Sequence, residues 1–288
     1  MARIIDGKLI SAQIRGEIKE EVAKLTAEGN RPGLAVIIVG DDPASQIYVR
    51  NKGKACEETG IYSEIIRLSE ATSEAELLGK IDELNSRRDI DGILVQLPLP
   101  KHISEAAVIG RIVPGKDVDA FSHENVGRIM TGDYSFLPCT PAGVIELLRR
   151  SGVTICGKEC VVVGRSKIVG KPMAMLLLHE NGTVTVCHSK TEALGSVTAR
   201  ADILVVAIGK PKFITADMVK EGATVIDVGM NRMPDGKLCG DVDFENVMPK
   251  CAFITPVPGG VGPMTITMLL KNTVAAKKLA LFGVEGQK

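Results

Sequence analysis

Tryptophan is absent from this 288-residue chain, and aromatic residues make up only 3 % of it. An aromatic platform for stacking the bases of single-stranded nucleic acid is therefore disfavoured. Net charge is missing too. Thirty-five basic residues are balanced by thirty-five acidic ones, so there is no global field to hold nucleic acid or a membrane surface. No uninterrupted apolar stretch approaches the roughly 18–20 residues that span a bilayer. The opening Met-Ala-Arg-Ile-Ile-Asp-Gly-Lys lacks the apolar block of a secretory signal, and a cytoplasmic location is expected. The seven cysteines are odd in number and scattered. Cys156 and Cys160 form a lone C-x3-C with no second pair and no nearby histidine. No metal site is expected from them; thiols in a reducing cytosol fit better.

What is present is an ordinary soluble composition, 45 % apolar and 24 % charged, at a length suited to two domains or one large one. Strand and helix patterns alternate from end to end, which predicts an α/β fold with parallel sheets. Leu34–Val39 reads as a buried strand. Ser45 is placed to cap a helix reaching Thr59, with Gly60 at the left-handed C-cap. Strand Ile61–Leu68 follows, and Ser73 with Glu76 opens a capping-box helix to Ser86. Gly92–Gln96 is a short strand. Around Pro138 the pattern restarts, with Thr140 and Pro141 as N-cap and N1 of a helix to Arg150. Strand Glu159–Val163, helix Pro172–His179 and strands Val184–Cys187, Ile203–Ile208 and Thr224–Val228 come next. Pro256-Val-Pro-Gly-Gly-Val-Gly-Pro263 reads as a structured loop, and residues 265–281 as a final helix. The domain break is placed near residue 138, giving domains 1–138 and 139–267, with a helix over 268–288 that returns to the first.

Gly164-Arg-Ser-Lys-Ile-Val-Gly170 follows an apolar strand and precedes a helix, the context of a phosphate-binding turn. Its spacing is not G-x-G-x-x-G, so a tight connection with surface charges remains the plain alternative. In NAD-binding sheets a carboxylate ends the second strand and holds the ribose 2′-hydroxyl. Here that strand ends in His188-Ser189-Lys190. A hydroxyl and cations suit a 2′-phosphate better, with Arg165 as a second clamp, so NADP is expected over NAD.

Tyr48 and Lys52 stand at i and i+4, on one helical face. That pairing can hold a flat substrate beside a titratable amine. A solvated lysine on an amphipathic helix has the same pattern. Gly53, inside the helix, costs about 1 kcal/mol relative to alanine, which hints at close approach. Gln96 ends an apolar strand, where α/β sheets form ligand crevices; a rim glutamine on water is the bland reading. Asp117 and Asp119, if extended, point the same way. A carboxylate can bind the N–C–N edge of a heterocycle through two parallel hydrogen bonds.

Together these segments resemble the methylenetetrahydrofolate dehydrogenase/methenyltetrahydrofolate cyclohydrolase family. The markers are Tyr48-Val-Arg-Asn-Lys52, Val95-Gln-Leu-Pro-Leu-Pro100, Lys116-Asp-Val-Asp-Ala-Phe121, Pro138-Cys-Thr-Pro141, Gly164-Arg-Ser-Lys-Ile-Val-Gly170 and Pro256-Val-Pro-Gly-Gly-Val-Gly-Pro-Met-Thr265. The resemblance implies an N-terminal α/β substrate domain, a Rossmann-like NADP-binding domain with a parallel sheet, and a cleft between them. It implies oxidation of 5,10-methylenetetrahydrofolate by hydride transfer to NADP⁺, then hydrolysis to 10-formyltetrahydrofolate. Lys52, Gln96, Asp119 and Tyr48 become the catalytic candidates. Tyr48, Gln96 and Asp119, with Pro258 and Gly259, bind the folate. The nucleotide contacts map to Gly164, Arg165, Ser166, Ser189 and Met230, with His188 and Thr140 completing the candidate set. A homodimer is implied. Two departures are mild: Met230 where many relatives carry isoleucine, and Ala120 where glycine is frequent. A monofunctional dehydrogenase and a silent NADP-binding regulator are the alternatives.

Overall fold

The structure is a computed structural model, and it describes residues 2–283. The elements run β1 (Arg3–Ile4), α1 (Gly7–Ala27), β2 (Gly33–Val39), α2 (Pro43–Thr59), β3 (Tyr62–Leu68), α3 (Glu74–Ser86) and β4 (Gly92–Val95). Helices α4 (Glu105–Arg111), α5 (His123–Thr131) and α6 (Cys139–Arg150) follow. Then come β5 (Glu159–Val163), α7 (Gly170–His179), β6 (Thr183–Cys187), α8 (Leu194–Thr198), β7 (Ile203–Val206) and β8 (Ala223–Asp227). The chain finishes with β9 (Asn231–Arg232), β10 (Leu238–Cys239), α9 (Phe244–Val247), β11 (Cys251–Ile254) and α10 (Val261–Phe282).

Two compact units result. One comprises Gln13–Cys139 with the chain from Ile266 on, the other the described residues through Ala12 with Thr140–Thr265. In the first unit β2 lies between β3 and β4, all parallel. Strand β2 reads Gly-Leu-Ala-Val-Ile-Ile-Val and is buried throughout, as a central strand covered on both faces must be. Leu77, Ile81 and Leu84, one stripe of α3, pack with Ala35, Ile37 and Ile93 to form its core. The chain passes from β2 to one neighbour, then returns to the other side. The carboxyl end of β2 is thus a topological switch point, where α/β sheets open a crevice.

The second unit holds a six-stranded sheet in the order β1-β11-β8-β7-β5-β6, with every pair parallel. Val161, Val163, Leu204, Val206 and Val225 supply its buried runs. Here the switch point falls at the end of β5, where Gly164 stands.

Several boundaries differ from the sequence pattern. Asp42, not Ser45, caps α2: its carboxylate accepts the Ser45 N–H at 2.7 Å, and Pro43 takes N1. An earlier acceptor starts the helix three residues sooner. Gly60 does end it, at φ 83°, and Ser73 and Glu76 do form a reciprocal capping box. Helix α6 begins at Cys139, so Thr140 lies inside its first turn. The proline- and glycine-rich loop ends earlier than expected, because Val261, Gly262 and Pro263 already belong to α10. Proline there meets no conflict, since first-turn N–H groups have no intrahelical acceptor. Arg3 and Ile4 pair with Phe253 and Ile254. The chain's start therefore joins the six-stranded sheet, not the domain expected over 1–138. The tail of the expected 268–288 helix, residues 284–288, lies outside the described residues.

Candidate active site

Helix α2 leaves the carboxyl end of β2 and carries Tyr48 and Lys52. Tyr48 is 42 % exposed, whereas Lys52 is buried to 9 %. Gly53 sits where a Cβ would come within 3.1 Å of Ile65 Cδ1, so the close approach is to the neighbouring strand β3. The Lys52 amine donates to Gln96 Oε1 at 3.0 Å. Gln96 stands one residue past β4, and its own Nε2 donates to the Leu97 carbonyl at 2.7 Å. That second bond fixes which end of the amide faces the lysine.

Burial lowers the pKa of Lys52 below its ordinary 10.5, and the nearby Asp119 carboxylate only partly opposes it. Asp119 moves the other way: desolvation raises its pKa, against the attraction of Lys52. Both groups are pushed toward their neutral forms. An amine pushed this way gives up its proton more readily than a solvated lysine and is suited to accept one from a reacting group.

The two aspartates do not share a role. Pro114–Lys116 form a 3-10 turn, Asp117 has ψ 78°, and Ala120 has φ 56°, so the segment is not extended. Asp117 is buried, and its Oδ2 accepts the Ser122 N–H at 2.8 Å and Asn125 Nδ2 at 2.9 Å. It therefore fixes the entry into α5. Asp119 faces other partners, with the Cys139 thiol 3.7 Å from its Oδ1. Burial and the Asp119 charge push that thiol well above its usual range, so it stays protonated and donates.

Two residues escaped the sequence pattern. Cys139 is one. The other is Asn272 on α10, whose Nδ2 donates to the carbonyls of Val118 and Leu137, each at 2.8 Å. It ties the backbone beside Asp119 to the segment leading into Cys139. Its signal was an amide inside the apolar run Met268-Leu-Leu-Lys-Asn-Thr-Val274, where a buried polar group needs partners.

In the six-stranded unit, Gly164 has φ 134°, and a Cβ there would meet the Ala207 carbonyl oxygen at 2.3 Å. Gly170 is equally constrained, by Gly164 oxygen at 2.3 Å. The loop is thus folded back on itself at the switch point, with Arg165 and Ser166 exposed. Ser166 Oγ accepts the N–H groups of Val169 and Gly170, both at 3.2 Å. That hydroxyl satisfies two N–H groups at the start of α7. At the end of β6, Ser189 is exposed, and His188 is set by Lys190 N–H donating to its Nδ1 at 3.2 Å. Thr140 Oγ1 meets Thr265 Oγ1 at 3.0 Å. Met230 is 45 % exposed after β8. Pro258 and Gly259 lie in the loop preceding α10. The crowded glycine, the exposed basic loop and the carboxylate-free end of β6 fit a phosphorylated dinucleotide. Among the described residues no cluster of metal-ligating side chains occurs.

Comparisons with known proteins agree. Residues 5–119 match the family model described as tetrahydrofolate dehydrogenase/cyclohydrolase, catalytic domain, and residues 138–281 the model for its NAD(P)-binding domain. The chain is 61 % identical over 277 residues to the bifunctional protein FolD of Moorella thermoacetica, covering 96 % of this chain and 99 % of the relative. The crystal structure of the bifunctional enzyme FolD of Campylobacter jejuni superposes with a TM-score of 0.96 at 50 % identity, covering 97 % of this chain and 100 % of the other. The Trypanosoma brucei methylenetetrahydrofolate dehydrogenase-cyclohydrolase, solved with NADP and an inhibitor, gives 0.93 at 42 % identity, covering 98 % and 99 %. The chain belongs to the tetrahydrofolate dehydrogenase/cyclohydrolase family, and it carries both activities: oxidation of 5,10-methylenetetrahydrofolate with a nicotinamide dinucleotide, and hydrolysis of the methenyl product.

Proposed function

We propose that the unit carrying Lys52 performs the folate chemistry, and that Lys52 is the proton acceptor for the hydrolytic step. The observation that carries this reading is the buried Lys52 amine, held on Gln96 Oε1 and depressed in pKa. Tyr48 stacks on the flat face of the folate. Asp119 hydrogen-bonds the guanidine-like edge of the pterin. Pro258 and Gly259 line the folate site. A bound nicotinamide would supply the hydride acceptor for the methylene bridge, and orientation of the two rings would contribute roughly several kcal/mol of the barrier reduction. The folate nitrogen supplies the electron density, so no protein base is required for that step.

Hydrolysis follows. Water adds to the cationic methenyl carbon and loses a proton to the neutral Lys52 amine; the lysine ammonium then gives a proton to the leaving nitrogen as its carbon–nitrogen bond breaks, and the remaining hydroxyl proton passes to solvent, leaving the formyl group. The positive substrate depresses the lysine further. Gln96 holds the amine toward the carbon.

For the nucleotide, Gly164 permits close backbone approach, while Arg165, Ser166 and Ser189 receive the 2′-phosphate, which selects NADP over NAD. His188, Thr140 and Met230 complete the contacts. The described cysteines are all free thiols, in keeping with a reducing cytosol, and the family resemblance supports a homodimer. The test is a spectrophotometric assay following the methenyl chromophore with methylenetetrahydrofolate and either NADP⁺ or NAD⁺. Wild type should turn over preferentially with NADP⁺, and Lys52→Met should accumulate methenyl compound. Full hydrolysis by Lys52→Met would overturn the assignment of the base.

A further inference from the structure

Two buried carboxylates outside the folate chemistry interlock at the carboxyl edge of the six-stranded sheet. Asp241 is fully buried. Its Oδ2 accepts the N–H groups of Ile208 at 2.7 Å and Gly209 at 2.9 Å. Its Oδ1 accepts Lys210 N–H at 2.9 Å and Asn231 Nδ2 at 2.8 Å. Three consecutive amides after β7 and one side chain after β8 thus converge on a single carboxylate. Asp227, at the end of β8, holds Asp241 in turn. Asp227 Oδ1 accepts the N–H groups of Gly229 and Asp241, and Oδ2 that of Val242. Glycines make the approach possible. A Cβ on Gly229 would lie 2.2 Å from the Asp241 carboxylate, and one on Gly240 would lie 1.8 Å from Asp227 Oδ2.

The location gives the arrangement a purpose. Strands β5, β7 and β8 are neighbours running in one direction, so the loops after them share one edge. Gly164 already abuts Ala207 at the end of β7. Met230 lies between Gly229, which touches the Asp227 carboxylate, and Asn231, which touches that of Asp241. We propose that Asp241 is a positioning residue for nucleotide binding: it locks the loop 208–210 to the segment 229–231 and thereby fixes the wall that receives the dinucleotide beyond the phosphate loop. A polar knot with all its acceptors engaged holds its parts in one arrangement. The inference rests on the reading that the dinucleotide binds along this edge.

The test compares Asp241→Asn, Asn231→Ala and Arg165→Ala in the full chain. NADP⁺ KM is measured with methylenetetrahydrofolate, NADPH binding by fluorescence titration, and cyclohydrolase turnover with methenyltetrahydrofolate and no nucleotide. An amide in place of the Asp241 carboxylate loses acceptors and turns donors against N–H groups. It should raise NADP⁺ KM and NADPH Kd by roughly tenfold or more, with cyclohydrolase turnover kept within about twofold. Asn231→Ala, which cuts only the link between loops and leaves the carboxylate in place, should raise both constants several-fold. It carries the test if Asp241→Asn does not fold. Unchanged NADP⁺ KM in Asn231→Ala, or equal loss of both activities in both variants, overturns the proposal. If Arg165→Ala also leaves NADP⁺ KM unchanged, the binding edge itself is wrong; if only Arg165→Ala weakens binding, the edge stands and the positioning role falls.

Discussion

The Lys52 amine and Gln96 Oε1 are 3.0 Å apart, and the glutamine is held in that sense by its second bond to the Leu97 carbonyl. Gln96 is therefore a neutral acceptor for the lysine, one that neither forces a proton onto it nor neutralises it. Lys52→Met should lower cyclohydrolase turnover by roughly 10²–10⁴-fold, the usual worth of a general base, while methylenetetrahydrofolate still binds. Gln96→Lys should place a second amine beside the first and impair the same step; unchanged cyclohydrolase kinetics would refute their proximity. Steady-state assays of the two steps separate these outcomes.

Cyclohydrolase rate should rise with pH along a limb whose midpoint lies below 10.5, because burial depresses the Lys52 pKa. The sign for stability is the same. A lysine depressed in the folded state binds fewer protons folded than unfolded, so its contribution to stability grows as pH rises. Asp119→Asn should move the limb to lower pH, since the aspartate charge favours the protonated lysine. A limb that stays in place in that variant would remove Asp119 from the electrostatics of the base. The measurement is a pH–rate profile on methenyltetrahydrofolate.

Gly164→Ala should abolish tight nucleotide binding while sparing hydrolysis. At φ 134°, with a carbonyl oxygen 2.3 Å from any Cβ, the loop must shift. NADPH titration and nucleotide-free cyclohydrolase assays on the same preparation test the pair of expectations.

Ala120 has φ 56° and no exposed surface. Ala120→Val places a β-branched side chain in the left-handed region of a packed site, at a cost of about 2 kcal/mol or more. Ala120→Gly relieves the strain but removes a buried methyl, so it should change stability by about 1 kcal/mol or less. Urea unfolding of the two variants gives both numbers.

How far the sequence carried depends on whether a signal is local. Strand Glu159–Val163, the Ser73 box and the Gly60 cap are set by neighbours in the chain, and each was legible. Lys52 and Gln96 stood out separately, one on a helical face and one at a strand end, and were joined only by the family resemblance; the fold puts them in contact. What escaped is set by distant partners. Helix α1 is the exception: Ile10, Ile14, Ile18, Val22 and Leu25 recur at helical spacing and form its buried face, a local signal that its many charged residues obscured. Strand β1 has only two residues, and its place is decided by Phe253 and Ile254. Cys139 and Asn272 meet across 133 positions. Asp117 and Asp119 look alike in sequence, and only the turn between them separates a structural carboxylate from one beside the lysine.

The depressed proton affinity of Lys52 has a chemical corollary. A lysine whose proton affinity is lowered presents its free amine, the nucleophilic form, more often than ordinary lysines do. Lys116 is also depressed, but its amine is engaged by the carbonyls of Leu84 and Arg87. A small acylating or carbonyl reagent at limiting dose should therefore modify Lys52 ahead of the other lysines, and occupancy by folate should shield it. That makes the residue a handle for covalent inhibitors and for counting active sites by mass.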